Sequence, residues 1–161
     1  MRLEYITSFA DSAQNVLESC VHTRIKRGPV TLNGSLSARG ISATVFMAGA
    51  VEGQMVLDLE PALARKIAAV MNGMEFRELD HLAIDTICEL ANMIIGKAIT
   101  ALNNKGFKFK TSPPCYFIGE KASGDLESVC VSLSTEWGDA RIQAAMKDKD
   151  RTVGTERGKH D

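Results

Sequence analysis

The chain has 161 residues, a length that fits one domain around a single core. Hydrophobic residues make up 45% and charged residues 24%, which excludes a disordered chain, and 19 Lys+Arg against 20 Asp+Glu leave a net charge of -1. That balance lacks the basic excess of a nucleic-acid or anionic-membrane binder. No apolar run approaches the roughly 18 residues of a spanning helix, and residues 1–5 lack a signal-peptide plan, so the expectation is a cytoplasmic protein with no membrane or nucleic-acid partner.

Cys20, Cys88, Cys115 and Cys130 are scattered, as are His22, His81 and His160, with no CxxC pair and no local Cys-His or Ser-His-Asp set. They read as small buried hydrophobes and surface imidazoles, and no metal site of the chain's own is expected.

Residues 3–25 carry apolar side chains at Ile6, Phe9, Ala10, Ala13, Val16, Leu17, Cys20 and Val21, spaced three or four apart, which predicts an amphipathic helix. After Arg27-Gly28-Pro29, the runs 41–47 and 51–59 read as strands around Ala48-Gly49-Ala50, with 30–32 a short edge strand. Glu60-Pro61 opens a short helix that stops at Asn72-Gly73. A second long helix is capped by Asp80, runs to Asn104 and stops at Gly106. Strand signals return at 107–110, 115–118, 129–134 and 141–146, separated by turn formers. The fold class is therefore α+β: an antiparallel sheet with two long helices and one short one on one face, in weakly duplicated halves. One domain spans 1–147. The charge-rich stretch 148–161 reads as a disordered tail.

On a helical wheel, residues 80–104 send Ala83, Ile87, Leu90, Ile94, Ala98 and Ala101 to one side, widened by Ile84, Ala91, Ile95 and Leu102. The other side stacks His81, Asp85, Glu89, Asn92, Gly96 and Asn103 into a ridge of short polar groups without a cation. Gly96 is unusual there, because an interior helical Gly costs about 0.8–1.0 kcal/mol relative to Ala. On pattern alone the plainer reading is a surface of hydrogen-bonded neighbours, with Gly96 packed against another element of its own fold. The scattered methionines, Met47, Met55, Met71, Met74, Met93 and Met146, read as core filler.

The run Asp85-Thr86-Ile87-Cys88-Glu89-Leu90-Ala91-Asn92-Met93-Ile94-Ile95-Gly96 resembles the signature helix of the CheC/CheX/FliY family of phosphatases, which dephosphorylate the chemotaxis response regulator CheY. In that family an Asp or Ser precedes a Glu by four residues, an Asn follows the Glu by three, and a Pro lies a little over twenty residues on. Asp85, Glu89, Asn92 and Pro114 fill these positions. Met1-Arg2-Leu3-Glu4-Tyr5-Ile6-Thr7 and Val51-Glu52-Gly53-Gln54-Met55-Val56-Leu57 extend the likeness over residues 1–147. In the first helix, Asn15 stands where the signature needs Glu and Glu18 where it needs Asn, so the resemblance is to the CheX-like members with one site.

The resemblance implies hydrolysis of a phosphoaspartate on a CheY-like regulator, with Mg²⁺ held by that phosphorylated partner. It makes Glu89 and Asn92 the catalytic pair and Asp85 and Gly96 partner contacts. Asn92 would orient the attacking water, Glu89 would engage a partner cation, and Gly96 would allow close approach. A homodimer through sheet edges is implied as well. The alternative is a non-catalytic adaptor that binds a phosphorylated regulator through the same ridge, as related flagellar switch components do.

Overall fold

The computed structural model describes residues 3–33, 36–49, 51–123 and 128–148. Helix α1 (Leu3–Val21) opens the chain, followed by strands β1 (Lys26–Asn33), β2 (Leu36–Ala38), β3 (Ile41–Gly49) and β4 (Val51–Leu59). Helices α2 (Pro61–Asn72) and α3 (His81–Asn104) come next, then β5 (Phe109–Thr111), β6 (Cys115–Ile118), β7 (Lys121–Ser123), β8 (Ser128–Thr135) and β9 (Gly138–Asp148).

Seven strands form one antiparallel sheet in the order β1-β8-β9-β4-β3-β5, with β6 also paired to β3. The order is symmetric about the β4–β9 pair. Each half sends its leading strand across to the other: β1 pairs with β8, and β5 and β6 pair with β3. The duplication expected from the sequence is thus a mutual exchange of outer strands. Strands β2 and β7 make a separate two-stranded sheet.

All three helices pack on one face. Beneath them Ile41, Ala43, Val45 and Met47 of β3 join Met55, Leu57 and Leu59 of β4 and Ala140, Ile142 and Ala144 of β9 in a continuous core with α1 and α3. On the other face Asp58 and Arg141 lie directly opposite each other on β4 and β9. Asp58, only 2% exposed, accepts from Arg141 Nη2 at 2.8 Å and from the backbone N–H groups of Arg39 and Gly40. This carboxylate ties the turn before β3 to the centre of the sheet. Gly40 is required there, because a Cβ would lie 2.2 Å from the Leu59 carbonyl oxygen.

The expected helices agree in number and order, but β1 begins at Lys26 and takes in the expected break at Arg27-Gly28-Pro29, β5 covers Phe109–Thr111 where 107–110 was expected, β2 and β7 have no expected counterpart, and Cys115, expected to be buried, is exposed. Helix α1 ends at Val21, where His22 takes a φ of 54°, so Ile25 lies beyond it. Ala101, placed in the core by the wheel, is exposed, while Ala98 and Leu102 on either side of it are buried, so the buried stripe at this end of α3 is narrower than the wheel drew it. Met74 and Met93 are surface residues and not core filler. Asp148 pairs with Val51 at the end of β9, and the rest of the expected tail, 149–161, lies outside the described residues.

Candidate functional site

Helix α3 is fixed at its start by the Asp80 carboxylate, which accepts from Ala83 N at 2.9 Å and caps the first turn. Its inner face, including Ile87, Leu90, Ile94, Ala98 and Leu102, is buried. Its flank is tied to α2 through Asn72 Nδ2, which donates to Thr86 Oγ1 at 2.8 Å. These contacts set the rotation of the helix and leave one line of residues outward: His81, Asp85, Glu89, Asn92, Gly96 and Asn103 are all exposed.

The ridge is chemically uncommitted. Among the described residues, the side chains of Asp85, Glu89 and Asn92 make no hydrogen bond and no ion pair. This removes the reading of mutually bonded surface neighbours. A Cβ built on Gly96 would meet nothing within 4 Å, so no element of the fold requires a glycine there, and the reading of internal packing goes with it. The Gly96 carbonyl accepts from Thr100 Oγ1 at 2.9 Å, one turn further along the helix.

Exposed Leu82 and Met93 flank the ridge on one side. On the other, Cys88 is half-buried and α3 packs against β6, which Pro114 directly precedes. Burial pushes the Cys88 thiol pKa up, and the nearby Asp85 charge and Cys115 add to the shift. An exposed carboxamide with both ends unengaged can accept from a water while donating to an anion, and two carboxylates a turn apart attract a cation.

The first helix offers nothing equivalent. Asn15 is exposed, but Glu18 accepts from Gln14 Nε2 at 3.0 Å and Ile25 N at 3.1 Å and closes the loop into β1. The Gln14 bond, with the Ile25 amide second, holds the Glu18 carboxyl below its usual range. The partner at Ile25 lies beyond the helix, where helical periodicity carries no information.

Sequence reading also missed a cavity of about 740 Å³ at the carboxy end of α3, lined by Ala48, Gly49, Asn103, Lys108, Phe109 and Lys110. The alternation Lys108-Phe109-Lys110, one face charged and one apolar, was its only local signal. Among the described residues no group of three or more His, Cys, Asp or Glu side chains is arranged to hold a metal, and no helix is long and apolar enough to cross a membrane.

A family profile described as chemotaxis phosphatase CheX matches residues 41–135, a span that contains all of α3 and β6. The CheY-P phosphatase CheX of Thermotoga maritima is 28% identical over 113 residues, 67% of this chain and 73% of that protein. A CheC-like superfamily protein from Shewanella sp. PV-4 superposes with a TM-score of 0.82 at 25% identity, covering 91% of this chain and 99% of its own. CheX of Borrelia burgdorferi, solved as a complex with CheY, BeF3 and Mg²⁺, superposes with a TM-score of 0.77 at 29% identity over 91% and 99% of the two chains.

Proposed function

The chain belongs to the chemotaxis phosphatase CheX family, and on that footing we propose that it hydrolyses the phosphoaspartate of a CheY-like response regulator, ending the chemotaxis signal. The observation that carries the assignment of residues is the uncommitted ridge of α3, where Asp85, Glu89, Asn92 and Gly96 stand in line and exposed.

The substrate is an acyl phosphate that brings its own Mg²⁺, in keeping with the CheY, BeF3 and Mg²⁺ of the Borrelia complex. Water attacks phosphorus in line, the bond from phosphorus to the aspartyl oxygen breaks, and the aspartate leaves as a carboxylate. Positioning and charge stabilisation supply most of the rate in such transfers, and the leaving carboxylate needs no general acid. Asn92 supplies the positioning: its Oδ1 accepts from the water while its Nδ2 donates to a phosphoryl oxygen. Glu89, one turn earlier, docks a cation of the regulator beside the phosphoaspartate. A carboxylate set directly against the phosphoryl oxygens would be repelled, so its role is docking and not proton abstraction. Asp85 extends the acidic contact at the rim, and Gly96 lets the regulator's backbone approach the helix.

The chain works as a cytoplasmic homodimer in this reading. Two exposed apolar edges suit sheet-edge pairing, one at Leu32 of β1, which is 83% exposed, and one at Tyr116 and Ile118 of β6.

The test is phosphate release from an acyl-phosphate-charged regulator with Mg²⁺, wild type and Asn92→Ala side by side. Acceleration by wild type alone is expected. Binding of the phosphorylated regulator without acceleration by either protein would replace the phosphatase with an adaptor.

A further inference from the structure

Asn103 lies eleven residues beyond Asn92, three turns along the same face of α3 and about 16 Å away by helix rise. Only Gly96, Ile99 and Thr100 intervene near this line, so no charged or long polar side chain interrupts the path from Asn92 to the cavity that Asn103 shares with Lys108 and Lys110. Exposed Lys105 at the helix cap adds a third cation nearby. The surface is thus polarised along its length, with Asp85 and Glu89 at one end and the lysines at the other. Among the described residues, Lys105, Lys108 and Lys110 have no ion-pair partner.

We propose that the lysine-lined cavity formed by Asn103, Lys108 and Lys110 is a second docking contact that takes an acidic segment of the regulator and so sets the direction in which the regulator lies along α3. This rests on the reading of the ridge as the regulator's docking surface. A protein contact of ordinary size buries about 800 Å² on each partner, so a domain centred on Asn92 reaches the cavity without a second binding event. Opposite charges at the two ends distinguish the productive orientation from the reversed one, which would set like charges together at both ends. The cavity is open and most of its lining is apolar, including Ala48 and Phe109, which suits a protein segment that brings apolar as well as acidic side chains better than a small anion.

A plainer origin for Lys108 and Lys110 is protection of β5, an edge strand, against pairing with another chain. The two origins differ in what the lysines do to binding. The measurement is association of the regulator, held as its BeF3–Mg²⁺ complex, with wild type, with Lys108→Glu/Lys110→Glu, and with Lys26→Glu on the distant β1 edge as control. The double variant should associate roughly tenfold more slowly at low salt, a difference that shrinks as ionic strength rises, with Lys26→Glu unchanged. In turnover the loss should fall on KM. Unaltered association with new self-association of the double variant would overturn the proposal in favour of edge protection. Saturable binding of inorganic phosphate in the cavity that the regulator does not displace would overturn it in favour of a small-anion site. Failure of wild type itself to bind the regulator would instead overturn the reading of the ridge, and this inference with it.

Discussion

The hydroxyl of Ser12 on α1 donates to the carbonyl of Ile94 on α3, 82 residues away, directly behind the stretch between Asn92 and Gly96. The bond is buried and joins the leading helices of the two exchanged halves. It fixes the height of α3 against α1, and through that the position of the ridge over the sheet. Ser12→Ala should lower stability by about 0.5–1.5 kcal/mol, the net worth of such a bond, because the Ile94 carbonyl keeps its place in the helix ladder. Denaturant titration checks this. A loss well above that range would mean that the Ala variant also disturbs the packing of α1 on α3.

Gly96 faces open space, so a methyl group fits the isolated chain. Gly96→Ala should therefore stabilise the protein by about 0.8–1 kcal/mol through helix propensity while slowing dephosphorylation of the regulator. Thermal melting and phosphate release read the two effects separately. An unchanged rate would remove Gly96 from the contact surface.

Glu89→Ala should weaken productive docking and raise KM several-fold, with the effect largest at low ionic strength because the lost contact is a charge pair. Steady-state dephosphorylation at two salt concentrations is the check. Equal rates and affinities for variant and wild type would make Glu89 a plain surface carboxylate.

Arg141→Met should destabilise the fold by about 3–5 kcal/mol, because it leaves the Asp58 charge buried with only backbone donors. The paired change Asp58→Leu/Arg141→Met should recover much of this loss. Urea melts of the single and double variants decide whether the ion pair or its desolvated remainder controls stability.

Glu18 has a depressed carboxyl pKa, so its contribution to stability is complete above the ordinary carboxylate value of 4.5 and is lost as pH falls through the lower folded value. Glu18→Gln should remove that part of the acid dependence while leaving the ridge in place. Unfolding followed from neutral pH down through the carboxylate range tests it, and identical profiles for variant and wild type would contradict the bonds from Gln14 and Ile25 as the source of the shift.

Local chemistry made much of this protein legible before any coordinates. Apolar spacing, the Asp80 cap, the Pro61 start and the Gly73 stop placed the helices, since each depends on residues within a turn or two. The ridge was visible for the same reason: side chains three and four apart on a helix share a face whatever packs behind it. Ala101 was misplaced because the wheel drew the apolar stripe one position too wide, and Met74 and Met93 because they were assigned by residue type and not by their place on a face.

The sequence by itself determined the helices, most of the strands, the polar line from His81 to Asn103, and through its signature residues the resemblance to a phosphatase family. Only the tertiary structure decided that the halves exchange their outer strands, that Asp58 meets Arg141 across β4 and β9, that among the described residues none crowds the position of a Cβ on Gly96, and that Lys108 and Lys110 share a cavity with Asn103. Each of these joins segments that are distant along the chain or depends on what surrounds a surface position. Strand pairing is governed by burial summed over the whole sheet, so the spacing of neighbouring residues carries no record of it.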